Sequence, residues 1–100
     1  MKYSEKVKKA STIYNAIKGL KEDQSISIVY KGDTYKISAY SSYEDKLSYS
    51  IWSGFRGMNI DKVGKTSLTL YSYDMMSQRT SYRLSLLEAS LLPEDRGDQK

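Results

Sequence analysis

The sequence predicts an α+β fold in which one N-terminal helix packs on a small, strongly curled antiparallel sheet of about five strands. An amphipathic stretch near the N-terminus has apolar residues three and four positions apart, as one face of a helix requires. Several later segments alternate apolar and polar residues, which is typical of strands with one buried face. Turn-forming residues separate these segments. Such a sheet either stays open under the helix or closes into a small barrel of Sm or SH3 type.

The helix is predicted over residues 4–18, with Ser4 as its N-cap. Gly19 is expected to end it, since glycine enters the left-handed conformation of a helix cap at little cost. One apolar stripe faces the sheet, and it consists of Val7, Ala10, Ile13, Tyr14, Ile17 and Leu20.

The predicted strands cover residues 25–31, 34–40, 47–52, 66–73 and 80–91. Lys31-Gly32-Asp33 is a tight-turn signal, so the first two strands are expected to pair as a hairpin. The last two strands form a second hairpin, on which the rest of the chain packs. Residues 53–64 hold three glycines and lack periodicity, and they are predicted to be the longest loop. Residues 94–100 form a charged tail.

The composition bounds the class of protein. A chain of 100 residues with 39% hydrophobic and 28% charged residues fits one globular domain, residues 1–100. It has no cysteine, no apolar run of the ~20 residues that a membrane helix needs, and no secretory signal at its N-terminus. A cytoplasmic location is therefore expected.

The net charge of +4 is unevenly distributed, because residues 1–21 carry six lysines against a single glutamate. Lys8, Lys9 and Lys18 of the predicted helix are therefore candidates for binding phosphates or an acidic protein face. The alternative is that these lysines form a solvated helix face that keeps the protein soluble.

Three segments resemble the WYL domain family. The stretch from Ile28 to Ile37, IVYKGDTYKI, is similar to the opening hairpin of these domains, and Ser81 to Leu87, SYRLSLL, is similar to their arginine-rich closing strand. Leu47 to Trp52 falls where the family has its name-giving tripeptide, although Tyr49-Ser50-Ile51 replaces it here. The resemblance implies an Sm-like barrel that senses nucleic acid or a nucleotide ligand.

Catalytic chemistry has few candidate residues in this sequence. With no histidine and no cysteine, there is no Ser-His pair, no thiolate nucleophile and no ordinary zinc site. The glycines do not have the spacing of a phosphate-binding loop. We therefore expect a protein that is not an enzyme and has no cofactor or metal.

Recognition by a surface is the remaining class of function. Ten tyrosines are a high number for this length, and tyrosine suits interfaces and base stacking. Tyr71 and Tyr73 are predicted on the exposed face of their strand, as is Tyr40. Other tyrosines share positions with the apolar residues and are expected at the core or its edge, namely Tyr30, Tyr35, Tyr49 and Tyr82.

Trp52, Phe55 and Arg56 lie among glycines and are candidates for a binding hot spot or for base stacking with phosphate pairing. Alternatively, Trp52 plugs one end of a barrel. Arg79 and Arg83 would extend the same basic surface, unless they pair with Asp74 or Glu88.

Three functions remain open from the sequence. The first is a non-enzymatic protein whose basic, tyrosine-rich surface contacts nucleic acid. The second is a phage-type inhibitor of a host defence nuclease, similar in general character to anti-CRISPR proteins, that contacts an acidic or nucleic-acid-binding protein surface. The third is a WYL-like nucleotide sensor. None of them involves a membrane.

Overall fold

The computed structural model describes residues 2–42 and 46–92, which form one α-helix, one 3-10 helix and seven strands. The elements, in chain order, are α1 (Tyr3–Lys18), β1 (Ser25–Tyr30), β2 (Asp33–Ser41), β3 (Leu47–Ser53), β4 (Arg56–Val63), β5 (Ser67–Tyr73), β6 (Arg79–Ser85), the 3-10 helix (Leu86–Glu88) and β7 (Ala89–Leu91). The predicted charged tail, residues 94–100, lies outside the described residues.

All seven strands belong to one antiparallel sheet with the order β6-β5-β4-β3-β2-β1-β7. Consecutive strands are neighbours from β1 to β6, whereas β7 pairs with β1 at the opposite edge. Only the 3-10 helix separates β6 from β7, and the four peptide units from Ser85 to Ala89 reach at most ~14 Å. The two edges therefore approach each other, and the sheet curls into a half-barrel.

The predicted α+β class, with a helix packed on a curled antiparallel sheet, is confirmed. The predicted number of about five strands is wrong, because the sheet has seven.

One additional strand, β4, lies within residues 53–64, which were predicted to be a loop. Gly54 and Phe55 form a two-residue turn, and β4 then pairs with both β3 and β5. A β-bulge between Ile60 and Lys62 shifts the register by one residue, so Met58, Ile60 and Val63 do not keep a period of two. The bulge therefore removes the alternation by which the strand could be recognised.

The other additional strand comes from residues 80–91, predicted as one strand. The chain leaves β6 at the 3-10 helix, where the backbone N–H of Leu87 donates to the Ser85 hydroxyl at 3.2 Å. The side chain of Leu86 is fully buried there. β7 then resumes on the far edge of the sheet, beside β1.

The ends of α1 differ in detail from the expectation. Lys2 precedes the first turn in an extended conformation, with no side-chain cap, and Ser4 lies inside the helix, so Ser4 as N-cap is wrong. The helix ends before Gly19, but Gly19 has φ −87° and not the expected left-handed conformation. The predicted turn at Lys31 and Gly32 is present, with φ 51° and 85° as a type I′ hairpin requires.

The core lies between α1 and the face of the sheet that we call the inner face. Ala10, Ile13 and Ile17 of the helix are fully buried. The strands bury Ile28, Ile37, Ala39, Ile51, Leu68, Leu70, Leu84 and Ala89 against them. No polar side chain of the described residues is buried. No helix within residues 2–42 and 46–92 is long and apolar enough to span a bilayer.

Candidate functional site

The sheet has a second face, the outer face, whose side chains point away from α1. Residues directly opposite each other in antiparallel strands share a face, so the strand register defines it. One row crosses six strands and consists of Ser25, Ser38, Ser50, Asn59, Tyr71 and Ser81. A second row, nearer the β1–β2 and β3–β4 turns, consists of Ser27, Lys36, Trp52 and Gly57. The outer face is thus mostly small and polar, with a few aromatic rings.

Within the described strands, four exposed cations lie on the outer face, namely Lys36, Lys62, Arg79 and Arg83. Asp61 is the acidic residue of β4 on the same face, and its carboxylate pairs with Arg79 at 3.2 Å. In the part of the chain that the structure describes, no carboxylate pairs with Lys36, Lys62 or Arg83. The outer face is therefore basic.

An aromatic and cationic cluster forms on β5 and β6. The Arg79 guanidinium carbon lies 4.1 Å from the centre of the Tyr71 ring, which is a close cation–π contact. Tyr73 meets Tyr71 edge to face, with the ring centres 5.8 Å apart. Asp61 and Tyr71 together hold Arg79 across β5, so the expected pairing of this arginine with Asp74 or Glu88 is wrong.

The two carboxylates predicted as arginine partners have other roles. Glu88 pairs with Lys6 of α1 at 3.3 Å. Asp74 caps the β5–β6 turn, where its Oδ1 accepts the backbone N–H of Met76 at 2.8 Å and of Gln78 at 2.9 Å. Because Glu88 and Asp74 have these other partners, Arg83 has no acidic partner among the described residues.

Trp52 lies flat on the backbone of β4. A Cβ atom placed on Gly57, its cross-strand partner, would be 2.7 Å from three carbon atoms of the indole ring. The ring thus occupies space that only glycine leaves open, and Trp52 as a residue remains 48% exposed. Trp52 covers the outer face and does not plug the end of a barrel.

The turn between β3 and β4 carries the next two predicted residues. Phe55 is fully exposed at its tip, after Gly54 with φ +63°. Arg56 stands opposite Ser53, on the inner-face side, and borders a groove of about 510 Å³ together with Met58 and Tyr82. Phe55 and Arg56 therefore lie at the margin of the outer face and not on it.

The helix lysines are separate from this surface. Lys8 is exposed and Lys9 half-buried on α1, which packs on the inner face of the sheet. Lys18, at the end of the helix, borders a second groove of about 410 Å³ that also contacts Tyr49 and Lys62. Of the three predicted lysines, Lys18 is thus the one that shares a groove with an outer-face cation, Lys62.

The tyrosines lie on the core side or on the outer face of the sheet largely as the alternation predicts. Tyr30, Tyr35 and Tyr49 are partly buried against the core. Tyr82 shares their side of the sheet, but the residue is 48% exposed. Tyr40 and Tyr73 are exposed on the outer face.

Several exposed residues of these surfaces were not among the predicted site residues. Lys36 alternates with Tyr35 and Ile37, so the periodicity could have placed it on the outer face. Lys62 could not be found in this way, because it follows the bulge. Met75 and Met76 stand exposed on the β5–β6 turn, a position that sequence periodicity does not report.

The described residues offer no cluster of three or more metal-ligating side chains. No protein-family model matches the chain, and the comparisons with curated proteins and with solved structures found no significant match.

Proposed function

We propose that the outer face of the sheet binds single-stranded nucleic acid, without catalysis. The observation that carries the proposal is the composition of this face, where, in the described strands, exposed aromatic rings lie among four cations and one acidic residue. Rings stack on bases, and cations pair with phosphates. Small serines between them let a strand approach the sheet closely.

The spacing of the rings suits splayed bases. Trp52 is on β3 and Tyr71 on β5, so they are two strands apart, or ~10 Å across the sheet. Lys36 flanks Trp52, and Arg79 lies on Tyr71. Lys36 can therefore pair with the phosphate of a nucleotide stacked on Trp52. A base at the second position would instead stack on the guanidinium plane of Arg79, which covers Tyr71 and pairs with Asp61.

A single strand is favoured over a duplex for a geometric reason. The bases of a duplex are stacked on one another, so rings that lie on a broad sheet surface cannot reach their faces. Stacking is tolerant of sequence, because every base has a π-face. We expect a preference for single strands and little discrimination between bases.

The test is a titration of labelled oligonucleotides of about 12 nucleotides, as DNA and as RNA, followed by anisotropy at several salt concentrations. If three or four phosphates are neutralised, the logarithm of the affinity falls with the logarithm of the salt concentration with a slope of about −2 to −3. Trp52 is the only tryptophan, so quenching of its fluorescence reports binding at this face. Absence of binding at ~50 mM salt contradicts the proposal.

A matched pair of charge variants localises the site. Lys36→Gln with Arg83→Gln removes two charges from the outer face, whereas Lys2→Gln with Lys8→Gln removes two from the exposed N-terminal end of α1. The first pair is expected to make the salt slope smaller by about 1.4, and the second to leave it unchanged. An equal loss in both would mean that net charge, and not this face, governs binding.

A further inference from the structure

The edge of the sheet at β6 is long and unoccupied. β6 pairs with β5 along all seven of its residues, and the structure places no strand of residues 2–42 or 46–92 on its other side. Alternate residues of an edge strand direct their N–H and C=O groups outward, where they can pair with another chain. The opposite edge, β7, has three residues and packs against α1. β6 is therefore the edge that can accept a further strand.

The side chains of β6 differ between its two sides. Arg79, Ser81 and Arg83 point to the outer face, and Arg83 has no acidic partner among the described residues. Thr80 and Tyr82 point to the other side and are exposed. A strand paired with β6 would thus place alternate side chains beside arginines and the remaining ones beside Tyr82.

The groove next to Tyr82 has a volume of about 510 Å³. Met58 and Tyr82 supply apolar surface to it, Ser72 and Arg56 supply polar groups, and Phe55 stands at its rim. It is large enough for an apolar side chain that projects from a strand added at β6. Its lining includes a cation and no carboxylate.

We propose that β6 and this groove bind an extended, acidic segment of a partner protein, which adds an eighth strand to the sheet. Main-chain hydrogen bonds to β6 would supply affinity, as in other cases of strand addition. An acidic side chain on the outer-face side of the added strand faces Arg83, which has no acidic partner among the described residues, and an apolar side chain on its other side enters the groove. The proposal does not depend on nucleic-acid binding by the outer face.

In the register centred on Ser81, a second copy of this chain fits the edge less well than an acidic segment. If two copies of β6 paired about a two-fold axis at Ser81, Arg79 of each would face Arg83 of the other. Like charges directly opposite each other destabilise a strand pair. Acidic side chains on a partner strand, by contrast, would favour pairing opposite these arginines.

The test uses NMR titration of the full chain with a synthetic seven-residue peptide that alternates glutamate with valine and has blocked termini. Shifts in the backbone amides of β6 and in Tyr82 and Met58 are expected below about 1 mM peptide, together with slower amide exchange along β6. The same peptide with every backbone nitrogen methylated is the control. It keeps the charges but cannot donate main-chain hydrogen bonds, so it should not bind.

A charge exchange tests the specificity. Arg83→Glu should weaken binding of the acidic peptide about tenfold, and a peptide with lysine in place of glutamate should bind this variant instead. Lys62→Glu is the matched control, because it makes the same charge change on the outer face two strands away. It should alter the affinity less than about twofold.

Three results would overturn the proposal. The first is no shift in β6 with about 1 mM acidic peptide, which would mean that the arginines only guard an exposed edge. The second is equal binding of the methylated peptide, which would exclude strand addition. The third is a concentration-dependent dimer, without peptide, in which the β6 amides shift; this would make a second copy the occupant.

Discussion

The two faces of the Trp52 ring are in different surroundings. One face covers Gly57 on the neighbouring strand, and the other is open to solvent. The covered face does not follow from the local sequence, since residues 53–64, which include Gly57, were predicted to be a loop. The pairing of β3 with β4 creates both the structural contact and the exposed ring that could stack on a base.

Gly57→Ala is expected to displace the indole, because the added Cβ would lie 2.7 Å from its ring carbons. The free energy of unfolding should fall by about 1–3 kcal/mol, the usual cost of overpacking. Chemical denaturation and the emission wavelength of Trp52 measure the two effects. The same substitution in a Trp52→Ala background should cost much less; an equal cost would show that the clash is not with the indole.

Asp61→Asn removes the carboxylate that holds Arg79. Because this ion pair is half-exposed, the free energy of unfolding should change by less than about 1 kcal/mol. If the outer face binds single strands, the affinity should rise about two- to fivefold, since Arg79 becomes free for a phosphate. Asp33→Asn makes the same charge change at an exposed site away from Arg79 and should have a smaller effect. Equal gains in titrations of both variants would contradict a special role for Arg79.

At the scale of the elements, the hairpin of β5 and β6 contributes to both proposed binding surfaces. It presents Tyr71 and Arg79 on the outer face and leaves one edge of the sheet open. Its turn is ordered by Asp74, whose side chain accepts two backbone N–H groups. Met75 and Met76 are exposed on this ordered turn, so their exposure does not come from an irregular loop.

Asp74→Ala should therefore loosen the turn and leave the core intact. Loss of the two hydrogen bonds is expected to cost about 1 kcal/mol, which lowers the Tm by about 4–8 °C for a chain of this size. Amide exchange should accelerate at Met76 and Gln78 before it does in β5. Asp33→Ala, at the exposed start of β2, is the control and should leave both measurements nearly unchanged. A uniform acceleration throughout the sheet would contradict a local role.

At the scale of the whole molecule, the last strand joins the two ends of the fold. β7 pairs with β1 and packs against α1, and the fully buried Ala89 stands opposite Tyr30 at this junction. The helix and the sheet are therefore expected to lose their structure together when this junction fails.

Ala89→Asp places a charge in the fully buried junction and should reduce the free energy of unfolding by at least ~3 kcal/mol. Ser90→Asp adds the same charge at the next residue, which is exposed, and should change it by less than about 0.5 kcal/mol. Thermal melts of Ala89→Asp followed by helix circular dichroism and by Trp52 fluorescence should share one lowered midpoint. Two separate midpoints would show that β7 does not couple the helix to the sheet.

The sequence alone determined the helix and its apolar stripe, the alternation of most strands and the absence of histidine and cysteine. Ala10, Ile13 and Ile17 were assigned to the buried side, and Tyr71 to the exposed side, because periodicity within one element is a local property. The bulge after Ile60 and the crossing of β7 to β1 depend on which strands pair. Only the tertiary structure decided these, as well as the contacts of Trp52 with Gly57 and of Arg79 with Asp61. These contacts depend on which strands pair, in which register and around which bulge, and the alternation within one strand does not specify them.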